Sequence, residues 1–115
     1  METRAIPAET VWKGTVNKFE TGHDGLFVHV TVQMSYETDV TLGLENRPSK
    51  PKTWFDKRPP VKGEEVLLRD LSKKPKGWRA GEGRILRPED EEFFMQHGFY
   101  MWELRAQSQE KGEQR

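Results

Sequence analysis

Two rings and an imidazole stand where they could stack on a flat, unsaturated ligand. Phe27 and His29 alternate with aliphatic residues in Leu26-Phe27-Val28-His29-Val30, and Phe19 precedes them on a segment that also carries Lys13 and Lys18. Ring faces beside cations suit nucleic-acid contact. Bases stack on aromatic side chains for about 1–3 kcal/mol each, and ammonium or guanidinium groups neutralise phosphates. The same mixture recurs twice. Arg47, Lys50, Lys52, Lys57 and Arg58 are interleaved with Trp54 and Phe55, and Lys73, Lys74 and Lys76 lead into Trp78 and Arg79. The opposing reading is the same at each place: the rings pin a loop to the core, and the cations are merely solvated.

Other chemistry finds little footing. The chain has no cysteine, so disulfides, thiolate metal sites and cysteine nucleophiles are excluded. His23, His29 and His97 are too scattered for a metal site, and neither an acidic calcium loop nor a phosphate-cradling glycine motif is present. Gly81-Glu82-Gly83 is a curvature device. Alternation puts Glu64 and Glu65 on opposite faces of a strand, and the acidic run at 89–92 suits the start of a helix. No catalytic residue, metal or cofactor is expected, and the chain reads as a binding protein.

Charge adds a direction. The totals balance at 19 basic and 19 acidic residues, but unevenly along the chain. Residues 1–46 hold three basic and seven acidic residues, 47–87 hold thirteen and five, and 88–115 hold three and seven. A basic middle between two acidic flanks suggests an electrostatic binding stripe. No segment has the apolar length of a membrane span, and the opening residues lack the apolar run of a secretory signal, so a cytoplasmic location without membrane contact is expected.

The elements that must position these groups follow from periodicity. Residues 11–20, 26–34, 36–44, 63–71 and 78–87 alternate as half-buried strands. In the second, Leu26, Val28, Val30, Val32 and Met34 form the core face and leave Phe27 and His29 outside. In the first, plain alternation puts Phe19 on the side of Lys13, Thr15 and Asn17. The 45–62 connection carries Pro48, Pro51, Pro59 and Pro60, which leaves room for at most one helical turn, at 53–57. Pro88 opens a helix, and the helical segment is placed at 88–107, with a possible break at Gly98. Residues 1–10 and 108–115 are expected to be flexible ends. The sum is a mostly β domain over 11–87, a small five-stranded Greek-key barrel of the OB type, with a C-terminal helix. An SH3-like barrel is the alternative that periodicity cannot separate.

Some of these segments resemble a known family. Gly14-Thr15-Val16-Asn17-Lys18-Phe19 is similar to the opening strand of cold-shock domains, and Leu26-Phe27-Val28-His29-Val30 is similar to their second ribonucleoprotein motif. Lys62-Gly63-Glu64-Glu65-Val66 followed by Gly77-Trp78-Arg79-Ala80 resembles their last two strands. The family's first ribonucleoprotein motif has no counterpart, since only residues 20–25 stand in its place. The resemblance implies an OB-fold that binds single-stranded nucleic acid, with Phe19, Phe27 and His29 in the stacking role. RNA is expected ahead of DNA. Two alternatives stay open. The C-terminal helix could cover the Phe27 face as a second core. It could also present Phe93, Phe94, Phe99, Met101 and Trp102 to a protein partner, making the chain an adaptor.

Overall fold

A computed structural model describes residues 9–23, 25–45 and 48–102. In order, it forms β1 (Val11–Gly22), β2 (Gly25–Gln33), β3 (Glu37–Gly43), β4 (Glu65–Lys74), β5 (Gly77–Ile85) and α1 (Pro88–His97). The alternation of β2 is realised as read: Val28, Val30 and Val32 are fully buried. They pack with Val16, Val40, Leu42, Val66, Leu68, Leu71, Ala80 and Ile85 in one core.

The strands close into a barrel in the order β1-β2-β3-β5-β4. β1 pairs antiparallel with β2 on one side and β4 on the other. β2 pairs with β3, and β4 with β5, also antiparallel. β5 runs parallel to β3 through two residue pairs, Val40 with Trp78 and Thr41 with Arg79. The result is a closed five-stranded barrel of the small OB or SH3-like kind.

The connection from β3 to β4 is irregular, as its prolines lead one to expect. No helical turn forms at 53–57. Instead Trp54 makes a parallel bridge to Gly83. The Phe55 N–H donates to the Gly83 carbonyl at 3.0 Å, and the Gly83 N–H donates to the Thr53 carbonyl at 2.8 Å. An extended backbone lets the Trp54 indole enter the core, where it is 4% exposed. Its Nε1–H donates to the Arg58 carbonyl at 2.9 Å, so the one polar atom of the ring is satisfied. Gly83 is also where the core leaves no room for a side chain: a Cβ there would lie 2.5 Å from Leu42 Cδ2 and 3.0 Å from Leu68 Cδ2.

α1 begins at Pro88 and ends at Gly98, the break that the sequence allowed. Gly98 takes a left-handed conformation with φ 84° and donates its N–H to the Phe94 carbonyl at 2.7 Å, which closes the helix at His97. Residues 103–107 of the expected helical segment lie outside the described residues, as do both expected flexible ends save residues 9 and 10.

The first turn of α1 is fastened to the outside of the barrel at β1 and β5. Lys13, Leu67 and Arg84 occupy one row across β1, β4 and β5. Lys13 reaches Glu91 of α1 at 3.2 Å. Arg84 meets Asp90 through two hydrogen bonds of 2.8 and 3.0 Å, and both side chains are almost completely buried. Trp102 lies beside the pair, 5.2 Å from the Arg84 guanidinium and edge-on to Phe55 at 5.7 Å.

Candidate nucleic-acid interface

The outer face of β2 is placed differently from α1, on the opposite flank of β1. The residues across it are set by register, and one irregularity decides which they are. Val16 pairs with Val30, but Lys18 pairs with His29, so the ladder shifts by one residue between them. This bulge reverses the facing of everything beyond it. Phe19 comes opposite Val28, on the core side of the pleat, where it is 39% exposed. Glu20 comes opposite Phe27 and takes the position that plain alternation assigned to Phe19. Lys18 is carried to the outer face beside His29.

Phe27 lies partly buried, with Gly22 and Gly43 to either side of its ring, and the Arg79 guanidinium is 4.9 Å from its centre. His29 is gripped between strands. Its Nδ1 lies 2.8 Å from Asp39 Oδ2 and its Nε2 lies 2.6 Å from Glu20 Oε1. Burial is the largest single effect on the imidazole and opposes its charge. The hydrogen bonds and charges of Asp39 and Glu20 together outweigh it, so His29 titrates above the ordinary histidine range. The hydrogen bond from His29 holds Glu20 below the usual carboxylate range.

The sign of the consequence follows. A raised histidine pKa contributes stability in full below the unfolded value of 6.5, and the contribution is lost as pH rises through the folded value. A depressed carboxylate contributes above its unfolded value of 4.5 and is lost as pH falls through the folded one. The clamp therefore supports the fold most between those two unfolded values. Urea midpoints of the wild type and His29→Gln should differ most there and converge on the alkaline side. A constant difference from about pH 5 to pH 9 would show that the imidazolium contributes nothing.

Phe27, His29 and Glu20 line one side of a groove of about 710 Å³. The other side is the β4–β5 turn and the start of β5: Lys74, Lys76, Trp78 and Arg79. Trp78 packs partly on the core and partly into the groove, with the Lys73 ammonium 6.0 Å from its ring. Lys74 and Arg79 are shared with an adjoining hollow of about 320 Å³ that also takes in Lys50 and Lys52.

The remaining sequence candidates are not part of this groove. Trp54 is core, so its ring offers no stacking face. Phe55 is half-buried against Trp102, with Lys52 5.2 Å from its ring. Lys13 is held by Glu91 and by Glu65, at 3.2 and 3.6 Å, on the α1 side of the barrel and away from the groove. Arg58 is forked onto Glu64, and Lys57 lines a separate hollow beside it with Asp56 and Arg87. Arg47 lies outside the described residues. The helix does not cover the Phe27 face. Its first turn is tied to the opposite flank of β1 through Lys13 and Glu91, and to β5 through the buried Arg84–Asp90 pair. Sequence reasoning missed Glu20 and Asp39, because no residue type announces a bulge or a cross-strand clamp.

Compared with protein-family models, with curated proteins and with solved structures, the chain matches none. Among the described residues no group of histidines and carboxylates is arranged to hold a metal, and no helix is long and apolar enough to cross a membrane.

Proposed function

We propose that this chain is a non-catalytic module that binds single-stranded nucleic acid, RNA ahead of DNA. One observation carries the reading. Trp78, Phe27 and the Arg79 guanidinium converge in a groove rimmed by Lys74 and Lys76, between the first and last hairpin turns of the barrel. That is the face on which OB barrels take oligonucleotides. Planar groups give bases a stacking surface without demanding a sequence, and the lysines meet the backbone. The partial likeness to cold-shock domains points the same way.

The test is a fluorescence-anisotropy titration of labelled single-stranded RNA and DNA at about 50 and 200 mM salt. If Lys73, Lys74, Lys76 and Arg79 each neutralise one phosphate, affinity should drop about fiftyfold over that range. Replacing Lys74 and Lys76 together by glutamine should lower the salt slope by roughly 1.4. Binding that ignores salt, or no binding to either strand, would overturn the reading. A second reading would then come forward. Met95 and Phe99 are 81% and 52% exposed beside Phe94 and Met101, a surface suited to a protein partner.

A further inference from the structure

The floor of the groove is short of hydrogen-bond donors. Both ring nitrogens of His29 are spent on Asp39 and Glu20. The Thr41 hydroxyl donates to the Trp78 carbonyl at 3.3 Å. Arg79 lies against the Phe27 ring. What the floor offers beside that ring is an acceptor. Glu20 is the direct cross-strand partner of Phe27, so both side chains leave the same face. One carboxylate oxygen of Glu20 takes the His29 hydrogen bond. Its second oxygen has no bonding partner among the described residues, and the side chain is 61% exposed.

We propose that Glu20 is a specificity-determining residue of the groove, its carboxylate selecting bases that present an amino group over uracil or thymine. The inference rests on the nucleic-acid reading above and adds to it the class of base. A base stacked over Phe27 and Arg79 turns an edge toward Glu20. Cytosine and adenine carry an exocyclic amine, which a carboxylate accepts, and guanine offers two adjacent donors. Uracil and thymine present one N–H flanked by two carbonyls, and each carbonyl oxygen repels the carboxylate. His29 makes the choice firm by holding Glu20 in place, and Asp39 holds His29. Arg79, Lys74 and Lys76 carry the donors of the site. Two of them stand on the turn at the rim, where phosphates pass rather than base edges.

The test compares oligomers of about eight cytidines, adenosines or uridines by anisotropy at one salt concentration. The wild type should bind the cytidine and adenosine oligomers about fivefold or more tightly than the uridine one. Glu20→Gln removes a negative charge and should tighten binding to all three, but the ratio between them should fall close to one. Asp39→Asn loosens His29 but leaves the Glu20 carboxylate intact, so the preference should weaken and still survive it. A wild-type ratio near one overturns the proposal and leaves the nucleic-acid reading standing. A preference that persists in Glu20→Gln, or that vanishes equally in Asp39→Asn, overturns the assignment to Glu20. Failure of all three oligomers to bind the wild type overturns both readings together.

Discussion

Asp90→Ala should lower the free energy of unfolding by about 3–5 kcal/mol, a large share of the 5–15 kcal/mol typical of a domain. The carboxylate it removes is almost fully buried and accepts both hydrogen bonds of the Arg84 fork. It also accepts the Arg87 N–H at 2.8 Å, which caps the start of α1. Without it, a guanidinium remains in the interior with only long contacts of 3.4 Å to the Ile85, Met101 and Trp102 carbonyls among the described residues. Arg84 Nε has no partner among the described residues even with Asp90 in place, so the site has little in reserve. The double change Arg84→Met with Asp90→Leu should recover most of the loss, because burying no charge is cheaper than burying one alone. Urea unfolding of the wild type and the two variants decides the matter. A loss below about 1 kcal/mol for Asp90→Ala would place the pair in water.

Trp54→Ala is the second large effect, at about 3–5 kcal/mol. The indole fills the core from a connection that has no helix or strand of its own, and its loss would leave a cavity beside Gly83. The loop would lose its anchor as well as its contacts. Trp54→Phe keeps most of the volume and gives up the Nε1–H bond to Arg58, so its cost should be smaller, about 1–2 kcal/mol. Thermal melts of both variants, read beside RNA titrations, separate this role from stacking. A stacking residue would weaken binding and leave the melt unchanged. Trp54→Ala should do the reverse at temperatures where it remains folded.

The contrast between Trp54 and Trp78 shows where a sequence stops being readable. Both stand in basic surroundings, and both could be core or surface by composition. Only the pairing of Thr53 and Phe55 with Gly83, across the barrel, sends one inside. The strands themselves were legible because each side-chain alternation reports a single buried face: Val28, Val30 and Val32 needed no tertiary knowledge. That logic assumes an unbroken ladder. One extra residue between Val16 and Lys18 exchanged Phe19 for Glu20 on the working face, and with it an expected stacking ring for a carboxylate. The basic residues met the same limit. Lys13 and Arg58 read as free cations because Glu91 and Glu64, which hold them, are neighbours only after folding.

The two pairs that join β3 to β5 are the narrowest join in the barrel wall, and the groove lies across it. Phe27, His29 and Thr41 stand on one bank, and Lys74, Trp78 and Arg79 on the other. On the reading proposed here, a bound strand bridges both banks and acts as a stave the protein does not itself supply. Any molecule that prefers the closed wall to the open one shifts the balance toward closure in proportion to that preference. Affinity and fold stability in this chain are then coupled quantities, and a change that loosens the join would tax both.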